Sequence, residues 1–144
     1  MKQFLCLFCL MAVLLSGCSA SEQTSAPGNE HYTLGIYQLT FHEKKLSNDH
    51  VGNEWSFTYF HNGQVIQSGY EITLPLESRT YQSIDVEIRE KDKIDDIGTG
   101  TLTIAIQEGA TGKTEIAVTE TNGRYKGNTA VWEFSCEVSL VTRQ

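Results

Sequence analysis

Glu90, Asp92, Asp95 and Asp96 fall within one short stretch, between the apolar alternation of Ile84, Val86 and Ile88 and that of Leu102, Ile104 and Ile106. Calcium takes several hard oxygen ligands from a flexible loop. These acids, with Asp49 from an earlier polar segment, are therefore a candidate metal site, and calcium is its candidate ion. Lys91 and Lys93 are interleaved with the acids and oppose a cation, and a solvated charged turn accounts for the same residues. A second cluster is Arg124, Tyr125 and Lys126, bracketed by Gly123 and Gly127. A guanidinium, a phenol ring and an ammonium together suit an anionic or sugar ligand, gripped by charge and stacking. A glycine-permitted surface loop is the structural alternative.

Other chemistry finds little support. His31, His42, His50 and His61 lie at no zinc-ligand spacing. No Gly-x-Ser-x-Gly elbow occurs, nor a Ser-x-x-Lys pair in a catalytic setting. Asp85 and Glu87 share one face of a strand, the usual place of solubility residues. Cys136 sits on the apolar face of the last strand with no cation beside it in sequence, the pattern of an inert buried thiol. No enzyme is expected. A carbohydrate-binding module would need exposed coplanar aromatics, and Tyr70, Tyr81 and Tyr125 are the available set.

The elements that must hold these residues are strands. Tyr32 to His42 is rich in aromatic and β-branched residues and reads as the first; the polar run from His42 to Asn53 reads as a loop. Trp55, Phe57 and Tyr59 alternate into His61-Asn62-Gly63-Gln64, and Asn-Gly between apolar runs is a strong hairpin signal. Tyr70 to Leu74 is a further strand that Pro75 ends or places at a sheet edge. After the Ile84–Ile106 unit, Glu108 to Lys113 is a turn and Thr114 to Thr119 a strand. Thr129 to Val141 puts Trp132, Phe134, Cys136, Val138 and Leu140 on one face. About eight strands, no amphipathic helix and regular turn signals predict an all-β fold, an antiparallel β-sandwich. Its expected core is Trp55, Phe57, Ile84, Val86, Ile88, Leu102, Ile104, Trp132, Phe134 and Val138.

The front of the chain carries the sharpest motif. Lys2 precedes an apolar run from Phe4 to Leu15, the length of a signal-peptide core rather than of a membrane span. The run ends in Leu15-Ser16-Gly17-Cys18, which closely resembles the lipobox of bacterial lipoproteins. That resemblance implies cleavage before Cys18, diacylation of its sulfur, and a domain held outside the cytoplasm on a membrane of the cell envelope. Residues 1–17 are then the signal peptide, 18–31 a lipidated cysteine and polar tether, and 32–144 the β-sandwich domain. Cys6 and Cys9 leave with the peptide, so Cys136 has no disulfide partner within the domain. Loss of Lys2, the one charged residue before Cys18, takes the net charge from −7 to −8. So acidic a domain argues against nucleic acid and against electrostatic docking to anionic lipid, and leaves the acyl chains to anchor it.

A strand, an acidic loop and Asp95-Asp96-Ile97-Gly98 leading into the next strand resemble the third calcium-binding loop of C-two domains, which are eight-stranded β-sandwiches. The resemblance implies a C-two-like architecture, with Asp49 in the first acidic loop. The expectation is a lipid-anchored binding or structural module whose partner is an envelope protein or a glycan. Calcium-dependent and carbohydrate-binding versions are its alternatives.

Overall fold

The computed structural model describes residues 33–144; the lipobox, with Cys18, and the tether lie outside the described residues. The segment His31–Gln144 is one compact unit. Its strands are β1 (Leu34–Asn48), β2 (Trp55–His61), β3 (Gln64–Ile66), β4 (Tyr70–Pro75), β5 (Thr80–Glu90), β6 (Asp96–Ile106), β7 (Thr111–Thr119) and β8 (Thr129–Arg143). They form two antiparallel four-stranded sheets, ordered β4-β1-β8-β7 and β3-β2-β5-β6. The described residues include no helix. The all-β antiparallel sandwich expected from the alternation is what the chain forms.

The two inner faces meet in one apolar core. Leu39, Ile84, Ile88, Val118 and Cys136 have no exposed surface, and Phe134 is the largest fully buried side chain. Burying a side chain of this kind is worth about 1.5–3 kcal/mol. Eight of the ten residues expected in the core are buried; Trp55 and Phe57 are half-buried. Both still join the aromatic cluster, Trp55 at 5.3 Å and Phe57 at 4.9 Å from Trp132. Lys45 covers the rest, its ammonium 5.3 Å from the Trp55 ring and 5.0 Å from that of Trp132, as a long amphipathic side chain can.

Several boundaries differ from expectation, and β5 begins at Thr80 rather than Ile84. β1 does not stop at His42 but runs to Asn48, pairing with β8 as far as Asn48↔Ala130. β4 covers only Leu34 to Leu39, so the later half of β1 is an edge. Charge there, at Glu43, Lys44 and Lys45, disfavours pairing with a further strand. β6 begins at Asp96 and passes through Gly98 and Gly100 rather than after them. A Cβ on Gly98 would lie 2.6 Å from the Ala117 carbonyl oxygen, so glycine is required where the β6 edge meets β7 of the other sheet. β7 likewise starts early, at Thr111. The Asn62-Gly63 hairpin is as expected, with both residues at positive φ, 51° and 74°.

The registers set direction. β1, β5 and β7 end, and β2, β6 and β8 begin, at the same end of the sandwich: Trp55 pairs with Glu90, Glu90 with Asp96, Thr119 with Thr129 and Asn48 with Ala130. Three connections therefore converge there, residues 49–54, 91–95 and 120–128.

Candidate functional site

The β1–β2 connection is a compact turn. Asn48 Oδ1 accepts from Val51 N–H at 2.9 Å, and the Asn48 amide donates to the Gly52 carbonyl at 3.3 Å. Val51 is buried and anchors it. His50 takes a left-handed backbone, φ 55°, uncommon for a side-chain-bearing residue. Its exposed ring stacks on Tyr125 at 5.7 Å with 15° between the planes. Asp49 lies 3.0 Å from His50 Nδ1.

The β5–β6 connection is tied back at both ends. Lys91 N–H donates to the Glu54 carbonyl at 2.7 Å. Arg89 pairs with Asp95 at 3.0 Å and with Glu87 at 2.9 Å, and these carboxylates raise its pKa further. Asp92 accepts from Lys93 N–H at 2.6 Å. The β7–β8 connection is fastened to the same place by Asp96, whose Oδ1 accepts from Thr121 N–H at 3.0 Å and from the Thr121 hydroxyl. Glu120 N–H donates to the Asn128 carbonyl, and Asn128 N–H to that of Tyr125, each at 2.9 Å.

Together these turns enclose a cleft of about 690 Å³, lined by His50, Gly52, Asp92, Glu120, Arg124 and Tyr125 among others. The Arg124 guanidinium is 5.8 Å from the Tyr125 ring. Both candidate clusters from the sequence thus meet at one site, but not as two intact sets. Arg124, Tyr125 and Asp92 line the cleft, and Lys126 does not. Asp95 is held by Arg89 and Asp49 by His50. Glu90 and Asp96, expected in the loop, are the facing ends of two strands and are buried.

Glu120 belongs with these acids and was not among the expected ligands; its signal was an acid closing a strand just before Thr121-Asn122-Gly123. The Glu90 carboxyl is raised above the ordinary range by burial first, then by the charges of Asp92, Glu120 and Asp96. Glu120 is raised likewise, by desolvation first and then by Asp96 and Asp92. Glu90 Oε2 and Asp96 Oδ2 are buried and accept from no N–H or hydroxyl among the described residues, while the Glu120 and Asp96 carboxyls hydrogen-bond to each other. Among the described residues no three His, Cys, Asp or Glu side chains are grouped as metal ligands.

The tyrosine trio does not assemble. Tyr70 is half-buried and its hydroxyl lies 3.3 Å from His61 Nδ1. Tyr81 opens β5 at the end opposite the cleft, about 30 Å along the strand from Glu90. Cys136 is fully buried, and burial pushes its thiol up to about 12. Compared with known proteins, the chain matches no family model, no curated protein and no solved structure.

Proposed function

We propose that this protein is a lipid-anchored, extracytoplasmic binding module without enzymatic activity, and that the cleft is its binding surface. One observation carries the proposal: three separate connections are fastened to one another by side-chain and backbone hydrogen bonds and set an aromatic stack, a guanidinium and two carboxylates around one concavity. Loops held on a rigid sandwich are the usual carriers of recognition. The lipobox-like Leu15-Ser16-Gly17-Cys18 supports the anchor.

The test immobilises residues 31–144 and an Arg124→Ala/Tyr125→Ala variant and passes envelope extract over both. A protein or glycan retained by the wild type and lost from the variant is expected. Nothing retained, or equal retention by both, would overturn the proposal.

A calcium-dependent version has its own support in Glu90 Oε2 and Asp96 Oδ2, which accept from no N–H or hydroxyl among the described residues. Binding to the folded state alone raises the melting midpoint by mass action. That version predicts a rise of several degrees with millimolar calcium, abolished by Asp95→Asn with Asp96→Asn; a wild type that melts alike in calcium and in chelator ends it.

A further inference from the structure

We propose that the end of the sandwich opposite the cleft, its foot, rests on a phospholipid surface. The inference goes beyond the cleft and rests on the proposed lipid anchor. The chain enters the sandwich at this end: Leu34 opens β1 and exchanges two backbone hydrogen bonds with Gln144, at 3.0 and 2.8 Å. Apolar side chains are brought together around that entry. Leu34 pairs with Pro75, and Leu76 N–H donates to the Thr33 carbonyl at 3.1 Å. A Cβ on Gly35 would lie 2.8 Å from Leu76 Cδ2 and 3.0 Å from Leu140 Cδ1, so both leucines close over that glycine. Val141 follows Leu140 and is 52 % exposed, and Leu34 is 37 % exposed. Apolar residues joined in this way, unlike single scattered ones, mark a surface that meets a partner.

The surrounding residues select the occupant. Arg143 pairs in register with Gly35, and Arg79 lies three residues beyond Leu76. Neither arginine forms an ion pair among the described residues. Tyr81, 68 % exposed, lies at the start of β5, at the same end. A guanidinium donates paired N–H bonds to a phosphate. A tyrosine suits a boundary that is apolar on one side and wet on the other. Aliphatic residues, a phenol ring and free guanidiniums together match the layer where headgroups meet acyl chains.

The length of chain ahead of the foot agrees. Fifteen positions separate Cys18 from Thr33, and such a segment reaches at most about 50 Å even fully extended. An acylated Cys18 therefore brings the foot to the bilayer before the cleft. The acids Glu77 and Glu108 stand at this end too, Glu108 accepting from Leu140 N–H. The contact is thus interfacial and apolar, with no preference for anionic lipid.

The experiment uses residues 19–144, which contain the compact unit His31–Gln144. An amino-terminal histidine tag holds them on nickel-chelating lipid in phosphatidylcholine vesicles that carry a nitroxide at headgroup depth. Tryptophan replaces Val141 at the foot or Ile94 at the cleft end, both exposed, and the wild type gives the background of Trp55 and Trp132. Emission of Val141→Trp is expected to shift to the blue and to be quenched, and that of Ile94→Trp to do neither. Because the tag alone brings the foot near lipid, Val141→Trp is repeated with Arg79→Glu and Arg143→Glu, which should remove most of the quenching. Equal quenching of the two reporters, or quenching undiminished by the arginine reversals, would overturn the inference. So would sedimentation showing that the protein pairs in solution until Val141→Asp separates the copies, since a second copy would then be the occupant. Membrane fractionation of the full chain with Cys18→Ala tests the anchor separately. Release of that variant together with an unquenched foot leaves the anchor standing and this inference refuted. Retention of the variant refutes the anchor, and with it the premise here.

Discussion

Replacing Gly98 by alanine probes the closure of the sandwich along its β6–β7 side. The added Cβ would lie 2.6 Å from the Ala117 carbonyl oxygen, 2.9 Å from Val118 Cγ2 and 3.0 Å from Ile116 Cγ2. The nearest of these is backbone of a strand paired along its length with β8, so it cannot rotate away as a side-chain tip would. Relief requires β6 to move off β7 by several tenths of an ångström, opening contacts of Ile116 and Val118, both buried. Inserting one carbon into such a site costs about 1–3 kcal/mol. In a domain of this size about 2 kcal/mol corresponds to a melting point lower by roughly 8 °C. Thr99→Ala on the solvent face of the same strand is the control and should stay within about 0.5 kcal/mol. Urea titration of the wild type and both variants, followed by tryptophan fluorescence, measures the difference. A Gly98→Ala protein as stable as the control would refute the reasoning that β6 and β7 are held at contact distance.

Two further outcomes follow from the buried ionisable groups. Because the folded Glu90 carboxyl is raised above its ordinary 4.5 by burial and by neighbouring carboxylates, its stabilising contribution is complete below about pH 4.5 and is lost as pH rises through the folded value. Glu90→Gln should therefore gain stability over the wild type at neutral pH and lose that advantage near pH 4; a difference that stays flat across pH, read by urea midpoints, would contradict this. Cys136, buried and with its thiol pushed up to about 12, should resist a thiol-specific disulfide reagent in the native protein and react fully in denaturant, and rapid native labelling would show that the β8 face opens.

What could be read from the residues alone depended on how local the governing interaction is. The Asn62-Gly63 turn was legible because its positive φ values are a property of those two residues. β8 was legible because it buries alternate residues from Ala130 to Val138. The later half of β1 was not: His42 to Asn48 are all exposed, so no apolar period marks them, and only pairing with β8 keeps them extended. Gly98 looked like a break because its role depends on β7, a contact the local sequence does not encode. The site divides the same way. Arg124 and Tyr125 stood out beside their glycines, and the acids from Glu90 to Asp96 by crowding. That Glu120 joins those acids, and that His50 stacks on Tyr125, depends on three connections meeting at one end of the sandwich.

β1 enters at Leu34, hydrogen-bonded to the last residue Gln144, and its 15 residues climb about 50 Å at 3.3 Å each before the turn that carries His50. The chain thus enters the domain at the foot of one of its two longest strands, with the cleft at the top. Under the proposed lipid anchor the sandwich acts as a spacer, with the whole height of β1 between the point where the chain enters the domain and the cleft.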